Sequence, residues 1–475
     1  MTNSVQHACA EQGRSMIDLI KWLSHMKKII LILLFILSAS IVNAQENKTY
    51  SFSLEEAIIF ALDSNYTAMN ARRDIAAAIK QKWETIATGL PQINAAVSYQ
   101  NNLKQPVTLL PAEITGGDPG TFVPIIFGTK QNASATATLS QLLFDGSYIV
   151  GLQAAQAFLD FSENASEKTN LEVRKAVINA YGSVLLAEEN VSIFQKNKTT
   201  LEKNLTETKA IFLNGLTEEE DVEQLQITLL DIETLLNNAK RMAVISRETL
   251  NMVLGIPIKK EVKITDTLEN LTTQNISLSV LDETLKVEKN IDYKIAFNLT
   301  QQRSLELKLE KSKALPSLSA FVNYGAQANS EGFTFFDSDQ RWFQSSIFGV
   351  NMTVPIFSSG GRGARTQRAK IALENANTLL KQTTEQIRLD ANTAKSNYQF
   401  AIENYENSKK NLALAKRIEY KNQVKFVEGL NTSFELRQAQ TQLYSTQQNY
   451  LQAMLNVIIT KAELETILNT AITRN

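Results

Sequence analysis

Two fifteen-residue stretches that lie 214 residues apart follow one plan: FLNGLTEEEDVEQLQ begins at Phe212, and FVEGLNTSFELRQAQ begins at Phe426. Each stretch has a Phe, a Gly-Leu pair three residues later, and a polar segment at which a new helix can begin. Glycine is common just past a helix end, where a left-handed backbone is needed. The pattern therefore predicts a tight turn between two helices at Gly215 and again at Gly429.

Apolar residues on both sides of each turn recur in alternating steps of four and three. The stripe before the first turn is Val173, Val177, Ala180, Val184, Ala187, Val191 and Phe194, and its counterpart 214 residues later is Ile387, Ala391, Ala394, Tyr398, Ala401, Tyr405 and Ser408. After the turns, the stripes resume at Val222 and Leu436. A period of 3.5 residues is typical of left-handed coiled coils. We therefore predict two antiparallel helical hairpins, at about residues 147–255 and 360–470.

The segments before the hairpins alternate apolar and polar residues instead. LPQINAAVSYQNNL, from Leu90, corresponds to LPSLSAFVNYGAQA, from Leu315; ASATATLSQLLFDG, from Ala133, corresponds to IFGVNMTVPIFSSGG, from Ile347. A period of two predicts strands with one apolar face, at about residues 91–103, 133–145, 315–329 and 345–357. Each is long enough for a tilted strand to cross a bilayer. Turn-rich loops at about 104–130 and 330–344 separate the strands of each pair.

The order helix, two strands and hairpin occurs twice, so the chain is predicted to contain an internal two-fold repeat, residues 45–280 and 281–475. A single helix over residues 147–212 would extend roughly 100 Å at 1.5 Å per residue, which exceeds a compact domain. Four strands are too few for a barrel within one chain, since small barrels begin near eight. A soluble coiled-coil protein with small β-caps would leave sheet edges exposed. The pattern favours several copies that share one barrel on a helical tube.

The start of the chain has the features of an export signal. Lys27 and Lys28 precede the apolar run IILILLFILSASIV, and the small residues before residue 45 match a cleavage site. We expect residues 26–44 to be a signal peptide and residues 1–25 to be an over-extended start; a short membrane anchor is the alternative. Cys9, His7 and His25, the chain's only Cys and His residues, all precede residue 45. The exported part therefore has no thiol or imidazole for catalysis, a disulfide or a metal site.

Together these features resemble the TolC-like outer-membrane efflux channels of Gram-negative bacteria. The marks, none of them specific alone, are SFSLEEAIIFALDSN at Ser51–Asn65, the strand openings Leu90-Pro91 and Leu315-Pro316, LLFDGS at Leu142–Ser147, PIFSSGGRGA at Pro355–Ala364, and the two Gly-Leu turns. The likeness covers nearly all of residues 51–470. The chain has Asn65-Tyr66 where the family often has Asn-Pro, and it lacks the lipid-modified Cys of many members, which argues against an acylated N-terminus.

The resemblance implies a mostly α fold with a transmembrane β part. Long coiled-coil hairpins would form a periplasmic tunnel, and four strands from each copy of a homotrimer would form a 12-stranded barrel in outer-membrane lipid. The implied function is a passive exit duct for tripartite efflux or type I secretion, located in the outer membrane with a long periplasmic extension. A periplasmic adaptor would bind the hairpin tips and connect them to an inner-membrane pump of the RND or ABC type. The exported substrate is not predicted.

Several residues become candidate site residues by position. The adaptor-docking tips would be Gly215, Leu216 and Thr217, and Gly429, Leu430 and Asn431; Glu218, Glu219, Glu220 and Asp221 would form an acidic aperture ring; Gly360 and Gly361 would form the strand-to-helix swivel. Gly-Leu is also simply a good helix stop, and acidic residues suit a helix N-terminus. Arg362 and Arg365 are either solvated or line the ring.

Other function classes fit less well. The acidic residues are scattered along helix faces, whereas a glycosidase needs two carboxyl groups that meet in one cleft, so we expect no enzyme and no cofactor. A formal net charge of −1 provides no basic surface for nucleic acid. The closest alternative is a periplasmic coiled-coil adaptor or scaffold protein. An adaptor should have one hairpin between two β-rich halves, whereas this chain has two hairpins and two strand pairs.

Overall fold

The computed structural model describes residues 50–469, so the predicted signal peptide and the predicted over-extended start lie outside the described residues. The chain divides into two compact units. The smaller contributes only Tyr50, Ser51 and residues 261–263 to the described range, where strands β1 (Tyr50–Phe52) and β6 (Val262–Ile264) pair. The larger unit contains the long helices and the main sheet.

Four helices form two hairpins. Helix α3 spans Gly146–Leu213 and turns into α4, Glu219–Leu254, while α7 spans Gly361–Val427 and turns into α8, Ser433–Leu468. Helix α3 has 68 residues and α7 has 67, which at 1.5 Å per residue makes each roughly 100 Å long. The predicted apolar stripes form much of the interface. One buried cluster lies between α3 and α4, with one residue of α8 packed against it: Phe194, Leu201, Leu205, Val222, Leu225, Ile232, Leu236, Ala239 and Leu436.

Four shorter helices pack beside the hairpins: α1 (Leu54–Ser64), α2 (Tyr66–Ala87), α5 (Leu268–Asn275) and α6 (Ile291–Ser312). Helix α1 begins at a capping box in which Ser53 and Glu56 satisfy each other's backbone N–H groups. Asn65 ends α1 and starts α2, because its side chain accepts hydrogen bonds from the N–H groups of Thr67 and Ala68. A new helix therefore begins at Tyr66.

The main sheet is antiparallel with strand order β2-β5-β7-β8. Its strands are β2 (Gln92–Asn101), β5 (Gln131–Asp145), β7 (Ser317–Ser330) and β8 (Phe343–Thr353). Strand β8 ends four residues before the predicted end, because Pro355 has no N–H group to donate to a neighbouring strand. The outer edges of β2 and β8 carry no neighbouring strand among the described residues.

The register places like residues on the same face. Residues that pair across one face include Val97 with Ala135 and Leu139 with Val322, and Val322 in turn pairs with Phe348. The opposite face is formed largely of polar and small residues: Asn94, Ser98, Ser134, Thr136, Thr138, Asn323, Gly325 and Gln327. The predicted alternation thus produces a sheet with one apolar and one largely polar face.

The segment between β2 and β5 was predicted as a turn-rich loop, but it contains regular structure. Strands β3 (Val107–Pro111) and β4 (Phe122–Ile126) pair as an antiparallel hairpin. Its strands are rich in Val, Ile and Leu, which favour extended backbone, and Gly116 and Gly120 in the connection adopt positive φ. The abundant turn residues therefore belong to the tip of a hairpin.

Within residues 50–469, each helix is too short or too polar to cross a membrane. The same residues contain no group of three or more His, Cys, Asp or Glu side chains arranged to hold a metal ion.

Candidate functional site

Both hairpin tips use the same helix-ending geometry. Gly215 has φ of +71° and donates to the Phe212 carbonyl at 2.8 Å, while the next N–H, from Leu216, donates to the Ile211 carbonyl at 3.2 Å. This is a Schellman motif, in which a left-handed residue lets two N–H groups satisfy helix-terminal carbonyls. Gly429 has φ of +69° and makes the equivalent bond at 3.0 Å. A side chain at either glycine would strain the turn.

The leucine that follows each glycine is directed into solvent. Leu216 is 77% exposed and Leu430 is 72% exposed. In many Schellman motifs the side chain at this position packs back on its own helix, but Leu216 and Leu430 bury little of their surface. A cleft of about 730 Å³ opens between the two tips, and its lining includes Leu216, Thr217, Asn431 and Phe434. The tips therefore present apolar side chains around a cleft, the kind of exposed feature that commonly contacts a partner.

The helices that leave the two tips begin differently. Thr432 caps α8 in a reciprocal capping box with Glu435. Glu218 precedes α4 but makes no capping hydrogen bond with its side chain, and Glu219 and Glu220 occupy the exposed first turn. Acidic residues there are stabilised by the positive end of the helix dipole. The acidic aperture ring, formed by these three glutamates and Asp221, stays a prediction.

Asp221, the fourth residue of the predicted ring, also connects the two tips. Its carboxylate accepts a hydrogen bond from the Ser433 backbone N–H at 3.2 Å and another from the Thr217 hydroxyl. It therefore joins the first tip to the start of α8, 212 residues further along the chain. Burial opposes ionisation of this carboxyl, but the hydrogen bonds from Ser433 and Thr217 outweigh burial and lower the pKa of Asp221 below its ordinary 3.8. At neutral pH these two hydrogen bonds, called the Asp221 bridge below, hold the two tips together.

Asp221→Asn is expected to loosen the tips without unfolding the hairpins. A hydrogen bond to a charged group contributes roughly 1.5–3 kcal/mol, and partial exposure here reduces that to about 1 kcal/mol. Because the folded pKa is lowered, the stabilisation is present at neutral pH and is lost as pH falls through that pKa. Hydrogen exchange of the tip amides should be faster in the variant at pH 7, and the difference between the two proteins should disappear once the pH lies below the lowered pKa of Asp221. Equal exchange at pH 7 would contradict the Asp221 bridge.

A layer of buried and half-buried polar side chains lies between the two hairpins, further along the helices than the tip residues themselves. The Asn197 side chain of α3 donates to the Gln447 side chain of α8 at 3.0 Å. These two helices run antiparallel, and seven residues nearer the tip lead to Asn204 on α3 and to Gln440 on α8. Asn204 and Gln440 therefore lie at the same height along the hairpins. The Asn204 side-chain oxygen accepts from Gln423 of α7 at 3.2 Å. Gln440 is only 1% exposed, and neither of its side-chain polar atoms has a partner among the described residues. This layer interrupts the apolar interface between the hairpins.

Replacing Gln440 with methionine is expected to stabilise the chain. The two side chains have similar shape, and an unpartnered buried polar group costs about 1–3 kcal/mol. Thermal unfolding should therefore occur at higher temperature in Gln440→Met. Gln442→Met is the matched control, because Gln442 is exposed on the same helix and donates to Thr446 at 3.3 Å. A lower unfolding temperature for Gln440→Met than for the control would contradict the cost assigned to the buried Gln440 amide.

The predicted swivel also has defined geometry. Gly360 has φ of +78° and precedes Gly361, the first residue of α7. Arg362, which the sequence left as either solvated or ring-lining, donates instead to the carbonyls of Pro355 at 2.7 Å and Ile356 at 3.0 Å. The guanidinium therefore fixes the segment between β8 and α7. Nothing in the sequence singled out this role, because it depends on how the chain turns.

The arrangement matches known proteins over most of its length. Residues 61–256 and 296–470 match the family described as outer membrane efflux protein. The outer membrane protein TolC of Vibrio cholerae is 23% identical over 420 residues, which cover 86% of this chain and 88% of that protein.

Solved structures share the fold at low identity. CusC superposes with a TM-score of 0.70 at 17% identity, covering 87% of this chain and 91% of that one. The Neisseria gonorrhoeae MtrE outer membrane channel has a TM-score of 0.68 at 19% identity, covering 89% and 90%. VceC of Vibrio cholerae has a TM-score of 0.67 at 15% identity, covering 87% and 95%. This chain belongs to the outer membrane efflux protein family and is an outer-membrane protein.

Proposed function

We propose that three copies of this chain form a passive exit duct across the outer membrane, with their sheets joined as one 12-stranded barrel and their hairpins as a periplasmic tunnel. The main sheet carries this proposal, because its apolar face is exposed and its two outer edges have no neighbouring strand among residues 50–469. In an outer-membrane protein, such a face suits lipid and such edges suit pairing with further copies.

The two faces of the sheet support one orientation of the strands, in which one face meets lipid and the other lines the interior of the barrel. The apolar face exposes Ile93 and Val97 on β2 and Phe348 and Val350 on β8. The opposite face carries hydroxyl and amide groups at the paired positions of β2, β5 and β7. Transmembrane barrels alternate an apolar side toward lipid with a polar side toward a water-filled interior. An interior lined in this way would pass hydrated solutes and recognise few of them.

Closure of the barrel requires more than one chain. Four strands lie in the sheet of each chain, and small closed barrels begin near eight strands. Edge-to-edge pairing of β8 from one copy with β2 from the next would satisfy the unpaired backbone groups. Three copies would then provide twelve strands. The two halves, residues 45–280 and 281–475, would act as a two-fold internal repeat, and each would contribute one strand pair and one hairpin.

The tips would be the docking site for a periplasmic adaptor. Residues Gly215, Leu216 and Thr217 and residues Gly429, Leu430 and Asn431 form the two turns, which in a trimer would form a ring of six. Glu218, Glu219 and Glu220 would surround that ring with negative charge. The adaptor would couple the duct to an inner-membrane pump that supplies the energy. The relatives support the channel part of the proposal, since MtrE is described as an outer membrane channel with an open state and CusC by its transmembrane channel formation.

The proposal is tested by the mass and conductance of the detergent-extracted protein. Light scattering coupled to size exclusion should give three times the mass of one chain after subtraction of detergent, and planar bilayers should show discrete conductance steps. Thr138→Arg, on the polar face of β5, should alter the single-channel conductance and ion selectivity, because it adds three charges to the interior of one barrel.

A monomer that stays soluble without detergent would overturn the proposal and favour a periplasmic adaptor or scaffold. A trimer whose conductance does not respond to Thr138→Arg would place the polar face outside the conducting path. The first outcome tests whether the chain assembles as a trimer, and the second tests whether the polar face lines the channel. Either part of the proposal can therefore fail on its own.

A further inference from the structure

The parts of α4 and α7 nearest the tips carry opposite charge. Residues 210–239, which include the start of α4, contain seven acidic residues and no basic one. Residues 407–427, at the end of α7, contain one acidic residue and six basic residues, all of them exposed: Lys409, Lys410, Lys416, Arg417, Lys421 and Lys425. The ion pairs of α7 that the structure describes lie further from the tips, at Arg365, Lys370 and Arg388. The basic end of α7 therefore lacks an opposing charge within residues 50–469.

Each of these helices has a second stripe, on the side opposite the one that packs within its own hairpin. The stripe of α4 comprises Glu220, Glu223, Ile227, Leu230 and Thr234, and that of α7 comprises Lys410, Leu414, Arg417, Lys421 and Val424. All ten residues are exposed. Their steps of three and four are those of a helix that packs in a coiled coil. We call them the acidic outward stripe of α4 and the basic outward stripe of α7.

The two outward stripes lie on different sides of the chain. Helix α3 packs along α4, helix α8 packs along α7, and the contact between the two hairpins is made mainly by α3 and α8. Helices α4 and α7 form no comparable interface with each other in the described residues. The acidic stripe and the basic stripe therefore do not neutralise each other within one chain, although their charges and apolar residues are complementary.

The tips of the two hairpins lie at one height. Asn197 and Gln447, which are hydrogen-bonded at 3.0 Å, are each 18 residues from the glycine of their own tip, Gly215 and Gly429. Because all four helices rise by 1.5 Å per residue, equal separation from these glycines gives approximately equal height. A rotation about the tunnel axis, which relates the copies of a ring, leaves these heights unchanged.

The two outward stripes match under this rule. The five positions on α4 lie 5, 8, 12, 15 and 19 residues after Gly215, and the five on α7 lie 5, 8, 12, 15 and 19 residues before Gly429. If α4 of one copy lies beside α7 of the next, Glu223 is opposite Lys421 and Leu230 is opposite Leu414. The exposed apolar residues then cover each other between opposite charges.

We propose that the acidic outward stripe of α4 in one copy packs against the basic outward stripe of α7 in the next copy, at each seam of the helical tunnel. This interface rests on the proposed trimer and names the two surfaces that join its helices. Because the surfaces differ, the contact is heterologous, and such contacts close into a ring when the rotation permits. Complementary charge also disfavours contacts between two copies of α4 or two copies of α7, since these would oppose like charges.

A disulfide between copies tests the packing of the two stripes. Cys9→Ser removes the only cysteine of the chain, and Leu230→Cys with Leu414→Cys then places one thiol on each stripe. Oxidation in isolated outer membranes should give covalently linked dimers and trimers on a non-reducing denaturing gel. Asp231→Cys with Leu414→Cys is the matched control, because Asp231 is exposed but lies off the stripe. The control should cross-link much less, since a disulfide requires closely spaced Cβ atoms.

Each outcome of the cross-linking has one meaning. A monomer that has lost both thiols would show that α4 and α7 of the same chain meet, which overturns the proposal. Free thiols in a protein that has the mass of a trimer by light scattering would place the seam elsewhere and leave the trimer intact. Free thiols in a protein with the mass of one chain would overturn the assembly itself.

A charge exchange tests the electrostatic part of the proposal. Glu223 and Lys421 are exposed, so neither substitution should disturb its own hairpin. Glu223→Lys should lower by several degrees the temperature at which the trimer dissociates in detergent, and Lys421→Glu in the same chain should restore most of that loss. In 1 M salt, where charges are screened within about 3 Å, the loss should nearly disappear. A double variant that dissociates at a lower temperature than either single variant would overturn the pairing of the two stripes.

Discussion

Gly255→Ala is expected to destabilise the chain by about 3 kcal/mol, three times the loss for Gly215→Ala. Both glycines end a helix with positive φ, +74° at Gly255 and +71° at Gly215, and a side chain in that conformation costs roughly 1–2 kcal/mol. They differ in the space around them. A Cβ at Gly255 would lie 2.2 Å from the backbone oxygen of Ser64, whereas one at Gly215 would meet nothing within 4 Å.

The close approach at Gly255 belongs to the packing of α4 against the turn between α1 and α2. The Ser64 hydroxyl donates to the Leu254 carbonyl at 2.6 Å, and the Asn65 amide donates to the Val253 carbonyl at 2.7 Å. Since the clashing atom is backbone, relief requires a shift of α4 or of the α1–α2 turn, which adds about 1–3 kcal/mol. Unfolding in detergent, followed by circular dichroism, should give a lower midpoint for Gly255→Ala. Equal midpoints for the two variants would show that only backbone conformation matters at Gly255.

Leu216→Glu combined with Leu430→Glu is expected to reduce export at least tenfold while leaving stability unchanged. Both side chains are mostly exposed, so their replacement removes little burial and both Schellman glycines are kept. A carboxylate at the centre of an apolar docking surface stays unpaired, which typically costs 2–5 kcal/mol of binding, and 1.4 kcal/mol corresponds to a factor of ten. Adaptor affinity should therefore fall much more than the unfolding temperature.

The measurement is the accumulation of a fluorescent dye in whole cells that contain the proposed adaptor and pump, with a dye chosen because its expulsion requires this chain. Thr199→Glu is the matched control, because Thr199 is exposed on α3 away from the tips. Cells with the control variant should expel dye at the normal rate, and cells with the tip variant should retain it. Normal expulsion by a well-folded tip variant would remove both leucines from the docking site.

The two tip glycines and the acidic run illustrate how far sequence reasoning extends. Gly215 was predicted from its place after an apolar stripe, and it adopts the left-handed backbone that this place requires. Asp221 was grouped with its acidic neighbours as a ring residue, because a local pattern shows charge but no partner. Its actual partner, the Ser433 N–H, lies across the interface between two hairpins. The same holds for Arg362, whose carbonyl partners depend on the direction of a turn.

Spacing along the sequence determined the features that arise between near neighbours: the 3.5-residue stripes of α3 and α7, the alternation of β2 and β8, and the Ser53–Glu56 capping box. These depend on backbone geometry within a few residues, so the residue order contains them. Tertiary structure alone decided that Gln440 lies buried without a partner among residues 50–469, that a register shift in β5 brings Phe144 opposite Leu318 on the apolar side of the sheet, and that Gly255 touches Ser64. Each of these results from how rigid elements far apart in the chain are brought together, since small shifts in register or packing decide which side chains meet.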